Sequence, residues 1–297
     1  MEQPEIIDAH LSHFANEQGL PAQFIPMARQ WYWPLCREVA TKVARNNIRV
    51  LGISGSQGSG KSTLANLLAY LLTEQDGLKV ASLSMDDFYL SLAERQSLAK
   101  TVHPLFITRG VPGTHDIPLA IDTINHLLST AEVSIPRFDK AADDRKPQDQ
   151  WNKVQAPVDL VILEGWCLSI PPETDPALQQ PQNKLEAGQD PDGIWRRYAN
   201  DALARQYPAL FQLIDCLVYL RSPNFAAVRR WRGNQEHKLL RASDPSQSSK
   251  IMDDEALDFF MSHYQRLTRQ SFATLPQIAD VVFSLNEEQQ ITRRINQ

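Results

Sequence analysis

Residues 48–63 read IRVLGISGSQGSGKST, an apolar stretch that runs into a glycine-rich loop ending in Gly60-Lys61-Ser62. Residues 55–62 fit the pattern G-x-x-x-x-G-K-[ST], in which glycines let backbone N–H groups approach a polyanion because they lack a Cβ atom. The Leu- and Ala-rich residues after the loop predict a helix, whose positive N-terminal end would face the same phosphates. A glycine-rich turn without a ligand is the alternative. The strand before the loop and the helix after it favour binding of a nucleoside triphosphate.

We expect ATP and Mg²⁺ as cofactors. We also predict which residues of this loop contact them. Lys61 would reach the β and γ phosphates, and the Ser62 hydroxyl would bind the metal ion. The nucleotide-binding residues expected from the pattern are Gly55, Ser56, Gln57, Gly58, Ser59, Gly60, Lys61, Ser62 and Thr63.

Composition places the chain among ordinary globular proteins, with 297 residues, 42% of them hydrophobic and 22% charged. A net charge of −5 opposes a nucleic-acid partner. Cys36, Cys167 and Cys216 are widely spaced, which suits a reduced protein better than a disulfide scaffold or a zinc site. No apolar stretch approaches the ~20 residues of a membrane span, and the N-terminus is acidic where a signal peptide would be basic. We therefore expect a cytoplasmic monomer or homodimer with no membrane partner.

The pattern of apolar residues divides the chain into residues 1–46, an N-terminal helical extension, and residues 47–297, the domain that carries the phosphate-binding loop. From residue 48 onward, short β-like runs alternate with helical patterns, which predicts parallel strands joined by crossover helices. These runs are apolar almost throughout, as expected for a sheet covered on both faces. The fold class is therefore α/β, a P-loop NTPase-type parallel sheet in a three-layer α/β/α arrangement. The predicted strands are 48–53, 79–84, 158–163, 214–220 and 280–285, and the core candidates of the extension are Leu11, Phe14, Phe24, Trp31, Leu35 and Val39.

Long polar segments interrupt this pattern. In open α/β sheets, ligands bind beyond the carboxyl ends of the strands, where such loops lie, so we expect some of them to form the pocket. The Pro- and Gln-rich segment 171–193 has a simpler alternative, partial disorder. The four segments are 103–116, 137–157, 171–193 and 241–253.

Two carboxylates follow the second predicted strand, and a third ends the strand at 158–163. Phosphoryl transfer needs mainly positioning and charge stabilisation, and a carboxylate can also take the proton of the acceptor hydroxyl. We assign that base to Asp86, with helix or turn capping as the alternative role for Asp86 and more so for Asp87. An extended segment would point these neighbours to opposite sides. Glu164 resembles a Walker B acid and would bind Mg²⁺, directly or through water.

A basic segment follows the fourth predicted strand and would form a lid over the triphosphate, approximately residues 223–253. Arg229 and Arg232 share a helix face at i, i+3 spacing, and their charges would stabilise the transferring phosphoryl group. A solvated basic face is the alternative. The cations of this segment are Arg229, Arg230, Arg232, His237, Lys238 and Arg241.

The loop at 102–116 reads VHPLFITRGVPGTHD and brings His103, Arg109, His115 and Asp116 among turn-forming residues. Together with cations downstream, it could hold an anionic acceptor, because guanidinium groups suit carboxylates. Each residue alone could instead be a surface charge or part of a structural ion pair. The acceptor-binding candidates are Asp87, Tyr89, Arg109, His115, Arg137 and Lys140.

The segments GSQGSGKST, SMDDFYL, HPLFITRGVPGTHD, PRFDK, LEGWCL and WRGNQE run in this order and together resemble the P-loop kinases of the phosphoribulokinase, uridine kinase and pantothenate kinase group. Within that group the chain looks most like the D-glycerate 3-kinases. The resemblance implies an ATP-dependent kinase in which the first acid after the second strand, Asp86, is the base. The lid arginines would be those near Trp231.

Three functions remain open at this point. The first is a kinase of a small anionic metabolite, with glycerate preferred over a uridine- or pantothenate-type acceptor. The second is a regulatory nucleotide switch, but the only near match to the guanine-reading motif N-K-x-D is Asn183-Lys184-Leu185-Glu186 in the Pro/Gln-rich segment. The third is a nucleic-acid-dependent ATPase, which the acidic composition disfavours.

Overall fold

The structure is a computed structural model that describes residues 4–242 and 252–296. A π-helical turn, Ala28–Tyr32, joins the second and third helices. The helices are α1 (Pro4–Glu17), α2 (Phe24–Met27), α3 (Trp33–Ala44), α4 (Lys61–Asp76), α5 (Leu92–Thr101), α6 (Ile117–Leu127), α7 (Asp175–Gln179), α8 (Lys184–Gln189), α9 (Ile194–Arg205), α10 (Pro208–Phe211), α11 (Phe225–Ala242) and α12 (Asp254–Thr274). The strands are β1 (Val50–Gly55), β2 (Val80–Ser84), β3 (Glu132–Ile135), β4 (Phe138–Asp139), β5 (Asp144–Arg145), β6 (Asn152–Gln155), β7 (Leu160–Gly165), β8 (Cys216–Arg221), β9 (Val281–Leu285) and β10 (Ile291–Asn296).

The main sheet has six strands in the order β10-β9-β8-β1-β7-β2. Its first five strands in chain order, β1, β2, β7, β8 and β9, pair in parallel and correspond to the five predicted strands. The predicted parallel sheet is therefore confirmed. β10 was not predicted, and it pairs with β9 in the antiparallel direction. Because the parallel strands end at one edge, the residues that follow β1, β2 and β7 lie close together.

One face of the sheet is covered by the N-terminal helices and α4. Leu11 and Leu35 belong to the same apolar cluster as Leu67 of α4 and Ile53 of β1. The core candidates of residues 1–46 are buried except Trp31, which is only partly buried. Burial of this apolar surface stabilises the helix that follows the phosphate-binding loop.

The opposite face packs against α6, α9 and α12. Ile124, Leu203 and Leu267 share a cluster with Val161 and Leu163 of β7. Every residue of β1 and β7 is buried, as expected for central strands covered on both sides. All three cysteine side chains are buried, and none of them forms a disulfide. In the ranges that the structure describes, no helix combines the length and the apolar character that crossing a membrane would need.

Segment 171–193 is ordered rather than disordered, because buried ion pairs hold it on α9 and α12. The Arg266 guanidinium donates two hydrogen bonds to Glu186, at 2.8 and 2.6 Å. Arg196 pairs with Asp190 at 2.8 Å, and both side chains are only 1% exposed. Removing one partner from such a pair leaves a buried charge uncompensated, so these contacts specify where the segment lies.

Candidate active site

The phosphate-binding loop joins the end of β1 to the start of α4. Gly60 has φ 89° and Gly58 has φ 76°, a backbone region that glycine adopts without strain. The helix begins at Lys61, directly after the last glycine of the loop, as the sequence pattern predicts. The first N–H groups of any helix have no intrahelical acceptor, and here they face the loop. The loop and helix together form the anion-binding arrangement expected from the sequence.

The turn between β9 and β10 supports this loop, a contact that the sequence interpretation missed. Gln289 Nε2 donates to the Gly58 carbonyl oxygen at 2.6 Å, and Trp231 Nε1 donates to the Glu287 carbonyl oxygen at 2.8 Å. A Cβ atom added at Gly58 would lie 2.7 Å from the Trp231 Cβ atom. The turn residues follow β9, which runs parallel to β1. Their place after a parallel strand was the sequence signal that could have indicated this contact.

We expect Gly58→Ala to weaken ATP binding and to destabilise the protein by roughly 1–2 kcal/mol, the range for a left-handed non-glycine residue. The added methyl group would also push the loop from Trp231. Gly188→Ala is the matched control, because that helical glycine has open space around its Cβ position. Thermal melting and the KM for ATP measure both effects. Equal behaviour of the two variants would contradict the predicted tight packing of the loop.

Glu164 lies at the carboxyl end of β7, beside the start of α4. Its Oε1 atom accepts hydrogen bonds from Ser84 Oγ at 2.6 Å and Ser62 Oγ at 3.1 Å. Its Oε2 atom lies 3.7 Å from Lys61 Nζ and, among the described residues, is a buried oxygen without a hydrogen bond. Mg²⁺ prefers oxygen ligands, so a free carboxylate oxygen beside a serine hydroxyl fits that ion.

Asp86 lies in a 3₁₀ turn, Met85–Phe88, rather than in the extended segment that we predicted. One carboxylate oxygen accepts from the Tyr89 hydroxyl and the other from Lys140 Nζ, both at 2.6 Å. Burial on its own would raise the pKa of Asp86, but Lys140, Lys61 and the two hydrogen bonds together lower that pKa below its ordinary value. The carboxylate is therefore ionised and within electrostatic reach of the phosphate loop.

Asp87 has a different environment from Asp86, although the two are adjacent. Its carboxylate accepts from Arg137 at 2.6 Å and from the Phe138 backbone N–H at 3.1 Å. Burial raises the pKa of Asp87, while Arg137 and the backbone N–H oppose the change. These contacts fix β4 to the 3₁₀ turn, a structural role for Asp87 that differs from the capping role we gave as its alternative.

The predicted acceptor cations lie around β4 and β5. Arg109 pairs with Asp143, and its guanidinium carbon is 5.3 Å from the centre of the Phe138 ring. Arg95, which the sequence interpretation missed, is completely buried and donates to the carbonyl oxygens of Ile107 and Asp143. Arg95 therefore joins the 102–116 loop to the β4–β5 hairpin. A single arginine in the mostly polar helix α5 gave no sign of this role.

Aromatic side chains hold the same loop from the other side. Trp166 Nε1 donates to the Gly110 carbonyl oxygen at 3.0 Å, and the Tyr264 hydroxyl donates to the Arg109 carbonyl oxygen at 2.9 Å. Gly110 has φ 119°, and a Cβ atom there would collide with the Tyr264 ring. The backbone of the predicted acceptor loop is thus fixed by α12 and by the residue two positions after Glu164.

His115 is buried beside the candidate base. Its Nδ1 atom lies 2.6 Å from the Tyr207 hydroxyl, and its ring centre is 4.8 Å from that of Tyr89. Burial lowers the pKa of His115 to about 4, so the imidazole is neutral at physiological pH. Asp116 and His103 each cap the start of a helical segment.

The basic segment predicted as a lid is helix α11. Arg229 pairs with Asp254 and Asp258 of α12, while Arg230 pairs with the turn that supports the phosphate loop. The Arg232 guanidinium lies 5.6 Å from the centre of an aromatic ring of α12. In the described structure, Arg229 therefore faces α12 rather than the loop. Residues 243–251 and the side chains of His237, Lys238 and Arg241 lie outside the described residues.

Residues 183–186, the near match to a guanine-reading motif, make structural contacts within the protein. Asn183 caps α8 through the Glu186 backbone N–H and donates to the Ser262 carbonyl oxygen. Glu186 is fully buried on Arg266. These contacts leave the segment no base-reading role, which disfavours the nucleotide-switch alternative.

Comparison with known proteins supports the arrangement around the loop. The profile of the Phosphoribulokinase / Uridine kinase family matches residues 50–168, from β1 to just past Trp166. The chain is 38% identical over 226 residues to an uncharacterized kinase of Schizosaccharomyces pombe, covering 72% of this chain and 78% of that protein. The chain belongs to this family. It is therefore a P-loop kinase, as the sequence resemblance implied.

Two further relatives of this kinase carry more specific names. The chloroplastic D-glycerate 3-kinase of Arabidopsis thaliana is 30% identical over 233 residues, covering 72% of the kinase described here but only 46% of the plant protein. The solved structure of D-glycerate 3-kinase from Cryptococcus neoformans superposes with a TM-score of 0.72 at 25% identity, covering 89% of this kinase and 99% of that chain. The second likeness supports the α/β/α architecture over nearly the whole chain.

Proposed function

We propose that this kinase transfers the γ-phosphate of ATP to a hydroxyl group of a small hydroxy acid, D-glycerate being the best candidate. One observation carries the proposal. The Asp86 carboxylate bonds Lys140 of the β4–β5 hairpin, and it lies close enough to Lys61 of the phosphate loop for the positive charges of both lysines to lower its pKa. A base in that position can meet the acceptor hydroxyl beside the γ-phosphate.

In the proposed reaction, the acceptor oxygen forms a bond to the γ phosphorus while the bond from that phosphorus to the β,γ-bridging oxygen breaks. ADP leaves, and the hydroxyl proton passes to Asp86. Lys61 neutralises negative charge on the phosphates. Ser62 and Glu164 would hold Mg²⁺, which supplies further charge neutralisation when bound.

The acceptor's negative charge is inferred from the three cations near Asp86. Arg109, Arg137 and Lys140 are all on segments next to the base, and each lies in an ion pair with a carboxylate in this structure. An anionic group would compete for such cations. The relatives named D-glycerate 3-kinase make glycerate the first candidate for this charge.

We propose in addition that residues 1–46 form an extension and that α11, with the residues to position 253, acts as a lid over the triphosphate. Arg229 and Arg232 would then turn toward the transferring phosphoryl group on closure. The absence of disulfides among the three buried cysteines supports a reducing compartment such as the cytoplasm.

An acceptor screen tests the proposal. Purified protein with Mg²⁺ and ATP is supplied with D-glycerate, other hydroxy acids, pantothenate or uridine, and ADP release is measured. We expect the highest kcat/KM with D-glycerate or a close hydroxy acid. Uridine or pantothenate as the best acceptor would contradict the proposed substrate class, and ADP release that no acceptor increases would favour a regulatory NTPase.

Truncation of either acceptor arginine tests the proposed binding of the anion. We expect Arg109→Gln and Arg137→Gln to raise the KM for the acid much more than the KM for ATP, because each removes ground-state binding. Arg197→Gln is the control, since that exposed arginine bonds only its own helix start among the contacts described. If both variants change only the KM for ATP, the acceptor does not use these cations.

A further inference from the structure

The cations that flank the base are not equivalent, because their ion pairs differ in exposure and in number of contacts. The Lys140 side chain is 63% exposed and bonds one Asp86 oxygen at 2.6 Å. Arg137 is half as exposed, and its partner also accepts a backbone N–H. Arg109 additionally packs against the Phe138 ring. Lys140 is thus the cation that can leave its partner most easily.

The ion pair with Lys140 works against catalysis by Asp86. Both carboxylate oxygens already accept a hydrogen bond, one from Tyr89 and one from Lys140. The oxygen that Tyr89 leaves open is therefore the one that Lys140 covers. The lysine also contributes to the lowered pKa of Asp86, which weakens its tendency to take a proton.

Breaking this ion pair requires less free energy than breaking a buried one, because the Lys140 side chain is largely exposed and water can solvate the released ammonium group. An acceptor anion that bound Lys140 would replace Asp86 as the partner of the ammonium group. The flexible four-carbon stem of lysine allows the ammonium group to move between two nearby oxygens. A neutral acceptor has no anionic group that could replace Asp86 as the partner of Lys140.

We propose that Lys140 determines specificity for anionic acceptors by holding Asp86 in an ion pair until the acceptor's carboxylate takes the ammonium group over. The hydroxyl of the same acceptor then meets the uncovered Asp86 oxygen. This inference rests on the proposed function for the identity of the acceptor. Once Lys140 has left it, however, the Asp86 carboxylate can take the proton of any acceptor hydroxyl, including that of water.

The test uses Lys140→Gln, which removes the charge and keeps a polar side chain, and Lys140→Arg, which keeps the charge. Lys153→Gln is the matched control, because Lys153 is 69% exposed in a similar ion pair with Glu132, on the two-stranded sheet of β3 and β6. Thermal melting verifies that each variant is folded. Two activities are measured, ATP hydrolysis without an acceptor and kcat/KM for D-glycerate and for glycerol, the neutral analogue.

We expect Lys140→Gln to increase acceptor-free ATP hydrolysis about tenfold, a part of the 10²- to 10⁴-fold that a general base contributes. It should also reduce the preference for D-glycerate over glycerol at least tenfold, by the loss of the charge contact, and Lys140→Arg should largely restore that preference. Acceptor-free hydrolysis that falls or stays constant in Lys140→Gln would overturn the proposal. An equal loss of kcat/KM with D-glycerate and with glycerol would overturn it as well. If hydrolysis rises while no hydroxy acid is phosphorylated, the control of Asp86 stands and the proposed substrate is wrong.

Discussion

Lys61→Ala is expected to abolish measurable phosphoryl transfer while the protein stays folded. Lys61 is the first residue of α4, and its side chain is 17% exposed, so it makes no part of the hydrophobic core. Its Nζ atom lies 3.7 Å from Glu164 Oε2, next to the loop where the phosphates would bind. Loss of a single preorganised donor lowers kcat by about 10²–10³-fold, and a full positive charge should contribute at least as much. ADP release measures the loss of phosphoryl transfer, and melting followed by circular dichroism verifies that the protein stays folded.

Lys153→Ala is the control for Lys61→Ala, because it removes an exposed lysine far along the sequence from the loop. Its turnover should match that of the unaltered protein. Near-normal turnover in Lys61→Ala would contradict the assignment of residues 55–62 as the phosphate-binding loop. Loss of the folded state in Lys61→Ala would show instead that this lysine is structural.

Asp86→Asn is expected to lower kcat by roughly 10² to 10⁴, the range that general-base catalysis supplies, with little change in the KM for ATP. Asparagine keeps the size of the side chain and can still accept the Tyr89 hydroxyl. It cannot take the proton of the acceptor, and it cannot pair with Lys140. Steady-state kinetics with saturating ATP and acceptor measure the loss.

Asp87→Asn is the matched control, because the neighbouring carboxylate bonds Arg137 and the Phe138 backbone rather than facing the loop. We expect it to lower thermal stability and to raise the acceptor KM, with a small effect on kcat. A severe loss of kcat in Asp87→Asn with a mild one in Asp86→Asn would assign the base to the other carboxylate. Mild losses in both would contradict general-base catalysis by this pair.

The central sheet could be predicted from the sequence because its strands are apolar almost throughout. β10 escaped prediction for the opposite reason: its sequence ITRRIN is mostly polar, and most of its residues are half-buried or exposed at the edge of the sheet. The short hairpin strands β4 and β5 have two residues each, too few for a periodic pattern. Local pattern therefore predicts buried strands and misses edges and short hairpins.

The ordered segment 171–193 depends on contacts that no local pattern contains. Its buried Glu186 is matched by Arg266, which lies 80 positions later in the chain. The sequence between these residues gives no indication of the pairing. The Pro/Gln-rich composition left partial disorder as an alternative for a segment that buried ion pairs keep ordered.

The candidate site was predicted in its residue types and less well in its geometry. Motif spacing placed Lys61, Glu164 and Asp86 at one edge of the sheet, because parallel strands end together. Spacing could not predict that Lys140 would bond to Asp86, 54 positions away. It also could not predict the buried role of Arg95, since the burial of an arginine depends on tertiary packing alone.

The most direct test of the proposed kinase activity is ³¹P NMR of the purified protein with Mg²⁺, ATP and D-glycerate. We expect a new phosphomonoester resonance that grows in equal amount with ADP, requires both substrates, and is absent with Asp86→Asn on the same time scale. The appearance of ADP with inorganic phosphate alone, or of a phosphomonoester only when uridine replaces D-glycerate, would contradict the account.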